Sequence, residues 1–210
     1  VIFMKIQDIR EKDKGFYLIA LDEGKDLILH GEIVARHHLK VGQEIDPEEL
    51  ERCKNDALRR KARERAYYLL EYRDHSEGEL YQKLCRHHPG PIAAEAVAKC
   101  KEYGLLDDAA YAKKLAEYYL NRKLFSFRRA LMEMGKKGLD RQLAKESLKA
   151  VQADPAEQLE KIIQKRYAKK LGQGKEGRQK VFAALARLGF DYEDIKTALS
   201  EYNWEENEDE

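Results

Sequence analysis

The sequence predicts a mostly helical protein that consists of tandem three-helix repeats behind a small β-rich N-terminal extension. Apolar residues alternate with a period of two within residues 1–46, and from Pro47 onward they recur with the 3.6-residue period of a helix. Three helix starts, at Ser76, Ser126 and Glu176, lie 50 residues apart. A period of about 50 residues with one supersecondary unit per period is typical of helical repeats.

The N-terminal extension, residues 1–46, is predicted to form a β-hairpin within a three-stranded sheet. Two apolar runs, residues 15–21 and 26–30, flank the turn residues 22–25. A turn and a short third strand are predicted at residues 41–46. A sheet of this size needs a helix to pack on.

Helices are predicted for the rest of the chain. Asp46 and Pro47 form a cap and a first helical position, and the helix that follows extends to about Arg73. Its Lys- and Arg-rich middle, residues 54–65, is predicted to be a solvated connector. The predicted organisation is a connecting helix at 47–65, three-helix repeats at 66–106, 107–152 and 153–203, and an acidic disordered tail at 204–210.

Capping residues mark the helix ends within the repeats. Ser76 and Glu79 match the capping-box spacing, and Asp107 follows a helix-ending Gly-Leu-Leu. Two later turns, Gly138-Leu139-Asp140 and Gly189-Phe190-Asp191, repeat one pattern. In that pattern Gly ends one helix and Asp caps the next.

Charge is unevenly distributed along the chain. Residues 1–51 carry 7 Lys and Arg against 12 Asp and Glu, residues 52–150 carry 23 against 14, and residues 151–210 carry 10 against 13. The basic middle can face a polyanion or an acidic protein surface. Charged residues make up 38% of the chain, so a large solvated face is an equally good explanation.

We predict a cytoplasmic protein without a membrane segment, a metal or a cofactor. The three cysteines, at positions 53, 85 and 100, form no CxxC motif, and no apolar run is long enough to span a bilayer. The pairs His37-His38 and His87-His88 lack a second spaced ligand pair for zinc. Residues 172–177 match GxGxxG, but they follow a predicted helix, so we predict a flexible loop and no dinucleotide site. Because no nucleophile or acid–base set has a convincing context, we expect no enzyme activity.

Exposed basic residues are the remaining candidates for function. They cluster in the first two repeats, and two phenylalanines, Phe125 and Phe127, alternate with some of them. Such interleaving suits nucleic acid through phosphate pairing and base stacking, and the cations equally suit an acidic protein groove. The tyrosines at positions 67, 68, 118 and 119 are predicted to be core. The candidate contact residues are Arg73, Lys83, Arg86, Arg122, Lys123, Arg128, Arg129, Lys136 and Lys137.

The order of the motifs resembles the RecX family, whose members regulate the RecA recombinase. The resemblance covers residues 57–202. It rests on Tyr72-Arg73-Asp74-His75-Ser76 with Glu79-Leu80 and Lys83-Leu84, Gly104-Leu105-Leu106-Asp107-Asp108-Ala109-Ala110-Tyr111-Ala112, Lys137-Gly138-Leu139 and Leu188-Gly189-Phe190. The second repeat departs from the pattern, since it has Ala130 and Met134 where the first has Leu80 and Leu84.

The resemblance implies an elongated, curved array of repeats that binds RecA and lies in the groove of the RecA–single-stranded DNA filament. It implies modulation, mainly inhibition, of the filament's ATPase and strand exchange in recombination, DNA repair and the SOS response. We expect a monomer, and direct DNA contact stays an open alternative. A stand-alone helical DNA-binding protein or transcription regulator is the second hypothesis.

Overall fold

The computed structural model describes residues 3–202, and within them it is mostly helical with one small sheet, as the sequence predicts. The predicted acidic tail lies outside the described residues. The described chain forms two compact units. One unit contains the described residues as far as Arg73 together with Leu80–Leu105, and the other contains Asp74–Glu79 and the described residues from Leu106 onward.

The sheet has four antiparallel strands, one more than the sequence predicts. The strands are β1 (Met4–Glu11), β2 (Phe16–Leu21), β3 (Leu27–His30) and β4 (Glu44–Ile45), in the order β3-β2-β1-β4. The predicted hairpin is the β2–β3 pair, in which Phe16 faces His30. The additional strand, β1, is central, and its Ile6 is fully buried.

Two helices cover this sheet, α1 (Gly31–Arg36) and the start of α2 (Pro47–Tyr72). The N-cap of α2 is Asp46, which accepts a hydrogen bond from Glu49 N at 2.7 Å, as the sequence predicts. The core between these elements consists of buried apolar residues: Ile6, Ile19, Leu29, Ile33, Leu39, Ile45, Leu50 and Cys53.

The prediction that residues 54–65 form a solvated connector is wrong in one respect, because one face of α2 is packed along this Lys- and Arg-rich stretch. Ala62 and Ala66 are fully buried, and α2 packs against α4 (Gly90–Glu102). Arg59 Nε also lies 2.8 Å from Glu95 Oε2 on α4. Small side chains let the two helices approach, and Arg59 adds an ion pair beside that contact.

The second repeat packs α5 (Asp108–Glu117), α6 (Phe127–Lys136) and α7 (Arg141–Ala150) around one core. The first of these helices continues as a π-helical turn, Tyr118–Arg122. The fully buried members of the core include Ala112, Ala116, Ala130 and Met134. The smaller and more flexible residues of the second repeat therefore still serve as core residues.

The third repeat contains α8 (Pro155–Ile162), a π-helical turn at Ile163–Tyr167, α9 (Ala168–Leu171), α10 (Gly174–Arg187) and α11 (Tyr192–Ser200). The GxGxxG stretch is not the predicted loop, because α10 begins at Gly174. Its last glycine, Gly177, is buried where Lys170 O would overlap an added Cβ. This glycine is needed for helix packing.

Most of the predicted caps form, and one does not. Ser76, Asp107, Asp140 and Ser126 each accept a hydrogen bond from a backbone N–H two or three residues later. Asp191 makes no such hydrogen bond, although it occupies the N-cap position of α11. The shared Gly-apolar-Asp pattern therefore forms a similar turn in both places, but only Asp140 caps the helix that follows with its side chain.

The N-terminus of α3 (Glu77–Leu84) meets the turn after α6 backbone to backbone. Ser76 Oγ donates a hydrogen bond to Lys137 O and accepts one from Glu79 N. A Cβ on Gly78 would overlap Gly138 O, and a Cβ on Gly138, at φ +71°, would lie 2.5 Å from Glu79 N. We call this contact the first Ser–Gly joint.

A similar contact recurs one repeat later through the backbone N–H of the serine, and we call it the second Ser–Gly joint. Ser126 N donates to Leu188 O at 3.1 Å. A Cβ on Gly189, at φ +90°, would lie 2.5 Å from Ser126 Oγ and 2.8 Å from Arg129 Cβ. In both joints the serine that caps the middle helix of one repeat packs against the glycine that ends the middle helix of the next.

None of the helices in the described part of the chain is long and apolar enough to cross a membrane.

Candidate interaction surface

Three of the predicted basic residues belong to the first unit. Arg73 is the half-buried C-cap of α2. Lys83 is half-buried in the last turn of α3, and Arg86 is exposed just after that helix. Of the three, Arg86 has the side chain most accessible to a partner.

The second unit presents three exposed cations near the start of α6. Arg122 and Lys123 are exposed and end the π-helical turn. The Arg128 side chain is 84% exposed, and its Nη1 lies 4.0 Å from the equally exposed Asp191. Such a long, solvated pair is weak, so Arg128 is available for an intermolecular anion.

The other three predicted cations are engaged within the chain. Glu133 Oε1 lies 2.9 Å from Arg129 Nη2 and 3.0 Å from Lys136 Nζ. Lys137 Nζ lies 3.5 Å from Glu79 Oε1, beside the first Ser–Gly joint. The neighbours Arg128 and Arg129 therefore differ in role, because consecutive helix positions point about 100° apart.

Exposed tyrosines accompany several cations, contrary to the prediction that they are core. Tyr119 is buried, but Tyr118 is 40% and Tyr68 is 60% exposed. Lys123 Nζ lies 5.4 Å from the centroid of the Tyr118 ring, and Arg65 Cζ lies 5.2 Å from that of Tyr68. Each pair combines a cation with a partly exposed aromatic ring, a combination that suits phosphate pairing and base stacking.

The structure also assembles a cluster that single residues in the sequence do not reveal. His37, at the end of α1, lies between two carboxylates of α2, with Nδ1 against Glu49 Oε1 and Nε2 3.0 Å from Asp56 Oδ2. One potential ligand atom each of His37, Glu49 and Cys53 lies within 4.8 Å of the others. Both ring nitrogens face acceptors, so the geometry is that of a clamped imidazolium.

Electrostatics support that interpretation. Burial lowers the pKa of His37, but the hydrogen bonds from Glu49 and Asp56 outweigh burial and raise it. The pKa of Glu49 is lowered by its hydrogen bonds to His37 and Arg52. Burial, with the nearby carboxylates, raises the pKa of the Cys53 thiol to about 11, so the thiol stays protonated at neutral pH. The cluster therefore stabilises the junction of α1 and α2.

Comparison with known proteins decides the family. Residues 62–100 match the model of the first three-helix domain of RecX, and residues 152–199 match that of the third. Regulatory protein RecX of Bacillus velezensis is 30% identical over 207 residues, covering 96% of this chain and 77% of the relative. The chain belongs to the RecX family. Regulatory protein RecX of Clostridioides difficile is 28% identical over 201 residues, covering 95% of this chain and 94% of the relative.

Solved structures agree on the fold. A crystal structure of regulatory protein RecX aligns with a TM-score of 0.65 at 23% identity, covering 95% of this chain and 100% of the other. A RecX structure from Lactobacillus salivarius aligns with a TM-score of 0.56 at 21% identity, covering 69% of this chain and 96% of the other. The RecX family is a family of regulatory proteins and not an enzyme family.

Two features were not found from the sequence. The His37 cluster joins residues 12 and 19 positions apart, from two different helices. Arg141 on α7 is exposed beside α6, at the rim of a groove that also includes Arg128. The sequence does place Arg141 directly after the capping residue Asp140, at the start of a helix, but that position alone does not indicate a groove.

Proposed function

We propose that this protein binds RecA and the RecA–single-stranded DNA filament and modulates, mainly by inhibition, the filament's ATPase and strand exchange in recombination and DNA repair. The observation that carries the proposal is the near full-length similarity to regulatory proteins named RecX. The protein acts by contact alone, with exposed cations as the contacting groups. We further propose that it acts as a monomer inside the cell.

The exposed cations of the second unit support a contact with an acidic surface. Arg122, Lys123 and Arg128 are exposed, and the one acid beside Arg128 is 4.0 Å away and largely solvated. Tandem repeats can contact successive protomers of a filament, so several weak contacts add through multivalency. Substoichiometric protein is therefore expected to have an effect.

The test measures ATP hydrolysis by RecA on single-stranded DNA over a range of protein ratios. We expect the hydrolysis rate to fall at substoichiometric protein, and strand exchange to fall with it. A rate that does not change at any ratio contradicts the proposal.

Charge reversal on the contact surface provides a residue-level test. Arg128→Glu is expected to weaken filament binding about fivefold, the equivalent of about 1 kcal/mol, because Arg128 is exposed and nearly unpaired. Lys196→Glu is the matched control, since Lys196 is exposed on α11 and the charge change is identical. Binding should also weaken as salt increases. If both variants lose the same binding affinity, Arg128 is not a specific contact residue.

A stand-alone nucleic-acid-binding activity is the second candidate, and the exposed cation–tyrosine pairs favour it. Tyr118 with Lys123 and Tyr68 with Arg65 combine a stacking face with a charge. Footprinting and binding titrations on DNA without RecA separate the two functions. Sequence-selective duplex binding together with an unchanged RecA ATPase would establish this candidate.

A further inference from the structure

An apolar groove opens between α6 and α7 in the second repeat. Its volume is about 310 Å³, and it is lined by Arg128, Leu131, Met132, Gly135, Leu139, Arg141 and Ala144. All of these residues lie in one unit. The volume falls at the lower end of the ~300–1,000 Å³ typical of ligand sites.

On α6 the groove lies beside the face that carries Ala130 and Met134, and it borders the core, because Leu131, Leu139 and Ala144 both line the groove and pack in the core. Ala130 and Met134 on the core face are fully buried, whereas Met132 is 45% exposed. A Cβ added at Gly135 would meet nothing within 4 Å, so the helix leaves space there. An exposed methionine beside an open glycine forms an adaptable surface that can accommodate an apolar side chain.

Two arginines flank this apolar floor. Arg128 is 84% exposed and has one distant acid, Asp191. Arg141 is exposed, and no ion pair of the described residues involves it. The nearby Glu133 is already shared by Arg129 and Lys136. The rim therefore favours carboxylates on the occupant, and the floor favours apolar side chains.

These properties favour a peptide over a nucleic acid. No aromatic side chain lines the groove, so bases would find no stacking face. A polynucleotide brings a hydrated phosphate at every residue, which an apolar floor with two cations compensates poorly. An amphipathic segment with acidic residues beside apolar ones matches both the floor and the rim.

We propose that this groove binds a short acidic, amphipathic segment of the protein partner. The inference rests on the proposed function, in which that partner is a RecA protomer of the filament. Apolar side chains of the segment occupy the space over Gly135 and Met132, and its carboxylates pair with Arg128 and Arg141. The groove then supplies specificity, and the scattered surface cations supply long-range attraction.

The test fills the groove without disturbing the fold. Gly135→Leu places a side chain in open space and replaces a helical glycine, so its urea midpoint should match or exceed that of the wild type. Arg141→Glu reverses a rim charge, and an acid in the first turn of α7 is favourable for the helix. Gly135→Ala is the size control and Lys196→Glu the charge control.

Binding to RecA–single-stranded DNA filaments is measured by fluorescence anisotropy of labelled protein. We expect Gly135→Leu and Arg141→Glu each to weaken binding about tenfold, while both controls stay within about twofold. If Gly135→Leu binds filaments as tightly as the wild type does, the groove is not the binding site, but the proposed function still stands. Absence of wild-type binding overturns the proposed function itself and the inference that rests on it.

Three further measurements distinguish other occupants, and each positive result overturns the proposal. If deletion of residues 204–210 strengthens filament binding by the wild type but not by Gly135→Leu, the occupant is the acidic tail of the chain. If the wild type dimerises in sedimentation equilibrium and Gly135→Leu does not, the occupant is a second copy. If Gly135→Leu weakens binding to single-stranded DNA alone, the occupant is nucleic acid.

Discussion

Replacing Gly78 by alanine tests whether the first Ser–Gly joint stabilises the fold. Gly78 lies in the first turn of α3, where alanine would ordinarily stabilise a helix by about 0.5 kcal/mol. Here the added Cβ would overlap Gly138 O and lie 3.1 Å from Gly138 Cα. These are backbone atoms, and the Ser76–Lys137 hydrogen bond holds them in place. Overpacking of this kind costs about 1–3 kcal/mol, so it outweighs the gain in helix propensity.

Gly135→Ala is the matched variant, since Gly135 is also in a terminal helical turn but has open space around it. We expect Gly78→Ala to lower the free energy of unfolding by about 1–3 kcal/mol and Gly135→Ala to raise it by about 0.5 kcal/mol. Urea unfolding followed by circular dichroism at one temperature measures both. A Gly78→Ala protein as stable as Gly135→Ala would show that the close approach carries no energetic weight.

Three further expectations concern other contacts. Gly138→Ala should destabilise more than Gly104→Ala, because both glycines have φ near +70° but only Gly138 faces backbone atoms; matched urea midpoints would contradict this. Gln158→Leu should cost about 1–3 kcal/mol, since the buried amide donates at 2.8 Å to Leu120 O, and equal stability would contradict it. The pKa of His37 is raised by its carboxylate partners. The stability it contributes is therefore fully present below the unfolded pKa, about 6.5, and is lost as pH rises through the folded pKa. His37→Gln should abolish that slope in urea titrations from about pH 6.5 upward, and an unchanged slope would assign it to another group.

Local interactions explain why much of the helical pattern was predictable. A cap such as Ser76 or Asp140 acts within three residues of the backbone it bonds, so its effect is visible in the sequence. Asp191 occupies the same position in its turn but instead lies 4.0 Å from Arg128 on another helix. That long, solvated pair is weak, so the same local pattern gives a capping carboxylate at Asp140 and a solvated one at Asp191.

The candidate surface was less predictable, for physical reasons that particular residues show. Adjacent arginines look equivalent in a sequence, but Arg129 lies over Phe125 and pairs with Glu133, whereas Arg128 faces solvent. Met132 has the spacing of a core residue and yet is 45% exposed. The close approach at Gly78 joins residues 60 positions apart, so a glycine needed for contact could not be distinguished from one needed for a turn.

The two Ser–Gly joints also determine how such a chain can grow. The second repeat contributes Ser126 to the third repeat and Gly138 to the first, so it carries both halves of the contact and the contact has a direction. A tandem copy of residues 107–152 would bring its own Ser126 and its own Gly138. It would therefore form a Ser–Gly joint with the repeat before it and another with the repeat after it. Duplication of that segment would therefore lengthen the protein by one repeat through the same kind of contact.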